Sequence, residues 1–199
     1  MPLDLYDVNR LKDKWDRDLT VQEIETEKEN VIVFDTNPVM DMLKYISENY
    51  EGDERTYFDR DGDAIVSSYR LLLVAHNSSG FDSWVVLNSL VKDITELKII
   101  KNARGLISLS FRCGVKIVNT VEVPRYVKFT CAKSHINGSL EKIGGEYGLQ
   151  PELREGDIEH SVNNKSNFGD LKHFWEPYLR SDVLCLAFIY ARHSMKYKI

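Results

Sequence analysis

The chain has 199 residues, a formal net charge of −5 and a pI of about 5.6. That length suits one domain with a substantial core, and the acid excess excludes phosphate-backbone binding as the main source of affinity unless basic residues cluster locally or metal ions bring the charge. No apolar run reaches membrane-span length, the amino terminus lacks a secretory signal, and Cys113, Cys131 and Cys185 are too scattered for a Cys-x-x-Cys pair or a disulfide framework. A reducing, intracellular setting with no membrane partner is expected. In chain order, residues 1–30 are dense in charge and poor in apolar periodicity. Leu3, Leu5, Val8 and Leu11 suit a short helix, and 12–30 reads as a solvated lead-in. Residues 1–30 are therefore set apart as a charged extension, and 31–199 as the domain. Val31 to Phe34 is a β-branched buried strand, and Pro38 starts a helix capped by Thr36 or Asn37. Val39, Met42, Leu43 and Ile46 give that helix one apolar face. Glu51 to Asp63 reads as a polar loop. Its Asp59, Asp61 and Asp63 suggest a calcium loop, but Tyr57 and Ser68 would stand where carboxylates are needed, so a solvated loop is expected.

Leu71 to Ala75 predicts a short buried strand, and His76 to Gly80 the turn leaving it. Trp84, Val85, Leu87 and Val91 fall at helical spacing, which predicts a helix from about Asp82. Strands follow at Leu97 to Ile100, at Gly105 to Arg112 by alternation, and at Val115 to Val123. Ile136 to Tyr147 predicts a helix closed by Gly148. Residues 154–170 read as a polar loop, and 170–197 as helix, broken or started near Pro177. The sum is α/β, or α+β with a mixed sheet.

Two places concentrate polar chemistry. The turn after Leu71 to Ala75 delivers Asn77 and Asp82 beyond a strand's carboxyl end, where open α/β sheets place their sites. In the last helix Tyr178 and Asp182 share a face that continues through Cys185, Leu186 and Ile189. A carboxylate beside that apolar stripe is costly unless paired or bound to a cation; a helix-terminal Asp stabilised by the dipole is the plainer reading. Two carboxylates with a phenol and an amide suit divalent-metal cleavage of phosphodiesters, since hard cations take oxygen ligands and stabilise the attacking and leaving oxygens.

Asn77-Ser-Ser-Gly-Phe-Asp82 resembles the second motif, and Tyr178-x-x-x-Asp182 the third, of DnaQ-like 3′–5′ exonucleases. The ordered series Ala75 to Asp82, Lys98 to Leu109 and Gly138 to Leu149 resembles the exonuclease domain of protein-primed family-B DNA polymerases, of the kind found in Polinton transposons, linear plasmids and related viruses. The resemblance covers roughly residues 31–197. It implies a ribonuclease-H-like fold and removal of 3′ nucleotides from single-stranded DNA with Mg2+ or Mn2+, in a polymerase primed by a terminal protein. It implies Asp82 and Asp182 as metal ligands, Tyr178 as the residue orienting the attacking water, and Asn77 and Phe81 as the holders of the 3′ end. Lys142 falls where protein-primed members carry a catalytic lysine; an exposed helix lysine is the alternative. His76 reads as a turn histidine.

The family's first motif, Asp-x-Glu, has no match. Asp35-Thr36-Asn37 places an amide where a charged ligand is needed, and Gln22 to Glu25 lacks the Asp. The opening strands and the polymerase domain are expected to be missing, and the chain to be a catalytically incomplete fragment. Three other readings stand beside this one. Val31 to Asn37 also resembles the first motif of PIN-domain ribonucleases, with Asp35 on the metal. A non-catalytic structural module, or one that binds single strands weakly, is the second, and an unrelated α/β protein with chance motifs is the third.

Overall fold

The structure, a computed structural model, describes residues 3–76, 82–90, 94–103, 105–134, 136–153 and 172–197. It is mixed α/β and divides into two compact units, one of residues 1–38 with 136–199 and one of residues 39–135.

The second unit is built on a five-stranded mixed sheet. Its strands are β3 (Asp53–Phe58), β4 (Ala64–Ala75), β5 (Lys98–Asn102), β6 (Gly105–Val118) and β7 (Val121–Cys131), in the order β3-β4-β7-β6-β5. β4 and β7 run parallel, from Tyr69 opposite Arg125 to Ala75 opposite Cys131; every other neighbouring pair is antiparallel. Residues aligned across strands share a face. Leu71, Val127 and Phe111 therefore make one row and Leu73, Phe129 and Leu109 the next. Val127, Phe129, Leu109 and Phe111 are buried, and the Phe111 and Phe129 rings stack with centroids 6.1 Å apart. Helix α2 (Pro38–Asn49) buries Val39, Met42 and Ile46, as its periodicity predicts, while Leu43 is half buried. Helix α3 (Asp82–Leu90) starts where expected but buries Val86 and Leu90, and Trp84 is exposed. Its inner face thus lies to one side of the expected stripe.

Two expectations fail in this unit. The polar stretch from Glu51 is not a loop: β3 pairs with β4 from Asp53 opposite Arg70 to Phe58 opposite Ala64. β3 is an exposed edge strand, so its charges lie where edge protection puts them and mask the strand pattern. The Asp59 carboxylate accepts the backbone N–H groups of Asp61 and Asp63, each at 2.9 Å, and so closes the hairpin turn. Gly52 enters β3 at φ +86°, where a Cβ would stand 2.7 Å from the Arg70 carbonyl carbon. Second, the strand expected from Val115 to Val123 is a hairpin tip. Asn119 (φ 48°) and Thr120 (φ 69°) turn the chain between β6 and β7, as a two-residue loop with both central residues at positive φ does.

The first unit joins the two ends of the sequence. β1 (Leu3–Leu5) and β2 (Ile32–Phe34) form a separate two-stranded antiparallel sheet, so the Val31 to Phe34 run does not enter the main sheet; Val31 is buried and β2 only half buried. A 3-10 turn spans Val8–Leu11 in place of the expected helix. Residues 12–30 are not a solvated lead-in. They hold helix α1 (Val21–Glu29), started by a Thr20–Glu23 capping box, and Leu11, Leu19 and Ile24 enter one core with Leu140, Ile143, Leu184 and Phe188. α4 (Leu140–Glu146) begins at Ser139. It ends in a Schellman pattern, with Leu149 N–H on the Gly144 carbonyl at 2.8 Å and Gly148 at φ +67°. α5 (Lys172–Tyr197) runs unbroken through Pro177. Among the described residues, no helix is long and apolar enough to cross a membrane.

Candidate functional site

The second-motif segment sits between two well-formed elements. Ala75 ends β4 in register with Cys131 of β7, and Asp82 is the first residue of α3. Asn77 and Phe81, the expected holders of a 3′ end, lie outside the described residues, as does the side chain of Asp82. The backbone thus brings the chain from a parallel strand into a helix amino end, where the helix dipole favours an anionic side chain.

The third-motif residues lie on α5. Tyr178 and Asp182 are one turn apart and half buried, and Asp182 Oδ1 is withdrawn from solvent. Cys185 and Ile189, further along the same stripe, are fully buried, and Leu186 is half buried. This is the edge-of-stripe position expected from the sequence. Such an oxygen is a hard donor in a place where a charge needs compensation.

A second face of α5 carries an ion ladder. Lys172, Glu176 and Arg180 recur at i,i+4; Lys172 Nζ is 3.7 Å from Glu176, and Arg180 donates to Glu176 at 2.7 and 3.2 Å. Arg180 also donates to the backbone carbonyls of Lys28 at 2.9 Å and Val31 at 2.5 Å, closing the carboxyl end of α1. Asp35 belongs to this ladder: Lys172 Nζ reaches its carboxylate at 2.8 Å, and the Thr36 hydroxyl donates to it at 3.2 Å. The hydrogen bond from Lys172, then that from Thr36, holds the Asp35 carboxyl below the usual carboxylate range. Residues two apart on a helix point roughly 200° from one another. Tyr178 and Asp182 therefore face away from the Glu176 and Arg180 row, and so from Asp35. A cleft of about 410 Å³, lined by Lys28, His173, Glu176 and Pro177 among others, opens along the ladder.

Lys142 stands on α4 with its side chain 70% exposed and its Nζ 3.8 Å from Glu146, the geometry of a solvated i,i+4 pair. Among the described residues no three His, Cys, Asp or Glu side chains gather as metal ligands. Lys172, Glu176 and Arg180 at intervals of four are the sequence signal of this ladder. Compared with family models, characterised proteins and solved structures, the chain matches none.

Proposed function

We propose that the chain is an exonuclease-like module of the protein-primed DNA polymerase type, with a ribonuclease-H-like fold, acting on a single-stranded 3′ end and catalytically incomplete by itself. The observation that supports this reading is the pair of elements flanking the second motif. β4, one member of the parallel strand pair, ends at Ala75, and α3 begins at Asp82. The one-turn spacing of Tyr178 and Asp182, with Asp182 Oδ1 out of solvent, supports the third motif.

The donor chemistry fits a divalent cation. By the motif match, Asp82 and Asp182 are each a carboxylate that would ligate Mg2+ or Mn2+, and the ion would stabilise charge on the attacking and leaving oxygens. Tyr178 would orient water, and Asn77 and Phe81 would grip the terminal nucleotide. Incompleteness rests on the first motif. β2 leads into Asp35-Thr36-Asn37, in which an amide replaces a charged ligand, and Asp35 is already engaged by Lys172.

A magnesium-dependent exonuclease assay on single-stranded DNA, with Asp82→Ala as control, tests the reading. Little or no release of nucleotides is expected from either chain, while millimolar Mg2+ raises the Tm of the unmodified chain and not that of Asp182→Ala. Robust activity lost in Asp82→Ala would overturn the incompleteness. A Tm indifferent to Mg2+ would overturn the metal centre.

A further inference from the structure

The charge of this chain is unevenly distributed. Residues 39–135 hold 13 lysines and arginines against 12 acids, and the remaining residues 13 against 19, so the acid excess lies outside the sheet-bearing unit. From residue 97 to residue 135 there are eight lysines and arginines and one acid, Glu122. The strand registers sort these cations onto faces. Arg70 of β4, Tyr126 of β7 and Arg112 of β6 form one cross-strand row, and Leu72, Lys128, Ser110 and Lys98 form the next. Both rows lie on the sheet face opposite Val127, Phe129, Leu109 and Phe111. Arg70, Leu72, Lys98 and Lys128 are exposed, and the face closes further along at buried Ser108.

Two acids border the rows. Glu96 accepts from Arg112 at 3.2 Å and from the Tyr126 hydroxyl, and Asp53 of β3 stands opposite Arg70. The hydrogen bond to Glu96 pushes the Tyr126 hydroxyl up, against the nearby charges of Arg112 and Arg70. Glu96 thus engages Arg112 and Tyr126 by hydrogen bonds and lies within reach of the Lys98 charge. Among the described residues, Arg70, Lys98 and Lys128 make no ion pair. Strand spacing sets Arg70 and Lys128 about 8 Å apart and Lys98 and Lys128 about 10 Å apart at the backbone. Half-buried Tyr126 stands between Arg70 and Arg112 in its row, and exposed Leu72 lies in the next row.

We propose that this sheet face, through Arg70, Lys98, Lys128 and Tyr126, binds single-stranded nucleic acid independently of any metal. Cations spaced across this face meet successive phosphates, and the Tyr126 ring offers a stacking surface that an unpaired base fills and a duplex withholds. An acidic protein segment would satisfy the cations and leave the ring unused. The inference does not depend on the exonuclease reading, because it invokes neither Asp82 nor Asp182.

The test is fluorescence anisotropy of a labelled oligothymidylate with the full chain in EDTA. Binding should weaken roughly twentyfold between about 50 and 200 mM salt, as expected for about three phosphate contacts. The Lys98→Glu/Lys128→Glu chain should lose about tenfold or more, and Lys98→Gln/Lys128→Gln less, in the same direction. The charge-matched Lys12→Glu/Lys44→Glu chain should stay within about twofold of the parent. Tyr126→Ser should lose about tenfold while Tyr126→Phe keeps the ring and the binding. Unchanged binding in both Lys98/Lys128 chains, an equal loss in the Lys12/Lys44 control, a duplex that binds more tightly, or polyglutamate that binds as well would each overturn the proposal. Because EDTA removes the metal, loss of the exonuclease reading leaves this outcome untouched.

Discussion

Glu27 is 1% exposed and charged. Its carboxylate accepts from Lys14 Nζ at 2.6 Å, Tyr6 Oη at 2.7 Å, Asn30 Nδ2 at 3.1 Å and Arg10 Nε at 3.4 Å. Burial pushes this carboxyl up, but hydrogen bonds from Lys14, Tyr6 and Asn30 outweigh it and bring it down to about 2. The Tyr6 hydroxyl is raised, by burial first and then by Glu27. A carboxyl depressed in the folded chain stabilises it above the unfolded value of about 4.3, and that contribution is lost as pH falls toward the folded value of about 2. Glu27→Gln should therefore cost about 2 kcal/mol at pH 7. It should also flatten the fall of Tm between pH about 4.3 and the folded value of about 2; Tm measured against pH for both chains checks it. Gly52 makes a backbone counterpart. At φ +86° and 2.7 Å from the Arg70 carbonyl carbon, an added Cβ meets backbone that has no room to yield. Gly52→Ala should cost about 2 kcal/mol or more in denaturant unfolding.

Among the elements, α5 contributes most to the first unit. Arg180 closes the carboxyl end of α1. Twelve residues on, Arg192 donates to the carbonyls of Trp15 at 2.6 Å, Tyr147 at 2.8 Å and Gly148 at 3.0 Å. Each guanidinium answers carbonyls that a helix end or turn leaves unpaired. Arg180→Ala should cost about 2 kcal/mol and lower the amide-exchange protection of α1 before that of α4. At the β6–β7 tip, Thr120 is a β-branched residue held at φ 69°. Thr120→Gly should add about 1 kcal/mol to stability, read as an increase in Tm. Elements with one apolar face were legible from the sequence: α2 through Val39, Met42 and Ile46, and α4 with its Gly148 stop. The Leu71 to Ala75 strand was legible as a strand but not in its burial: it ends the longer β4, half buried, with Leu72 exposed. β3 was not, because an edge strand exposed on both faces has no reason to alternate. α1 was not, because Leu19 and Ile24 bury few apolar side chains amid many charges, and the partners that hide them are more than a hundred residues away. The Tyr178–Asp182 spacing was legible because helix geometry is local.

For the whole molecule, the reading of one domain from residue 31 onward reflects what sequence order can carry. The pairing of residues 1–38 with 136–199 rests on contacts such as Gln150 with Leu19, whose side-chain amide and backbone exchange hydrogen bonds at 2.7 and 2.8 Å. No short-range pattern announces them. Residues 39–135, by contrast, are contiguous and bury Met42, Ile46, Leu109, Phe111, Val127 and Phe129. Expressed alone, this segment should show a β-rich circular dichroism spectrum and a single cooperative thermal transition; a featureless spectrum would refute its autonomy.

That division sets an order of events during synthesis. The sheet-bearing segment leaves the ribosome whole before α5 has been translated, and domains fold as units while the chain is still growing. The amino-terminal residues emerge first yet must wait longest. Leu11, Leu19 and Ile24 lack part of their core, and the end of α1 its guanidinium, until Arg180, Leu184 and Phe188 arrive. A nascent chain stopped short of α5 would present a finished sheet behind an unsettled leader. The first thirty residues would then be the last to become resistant to protease.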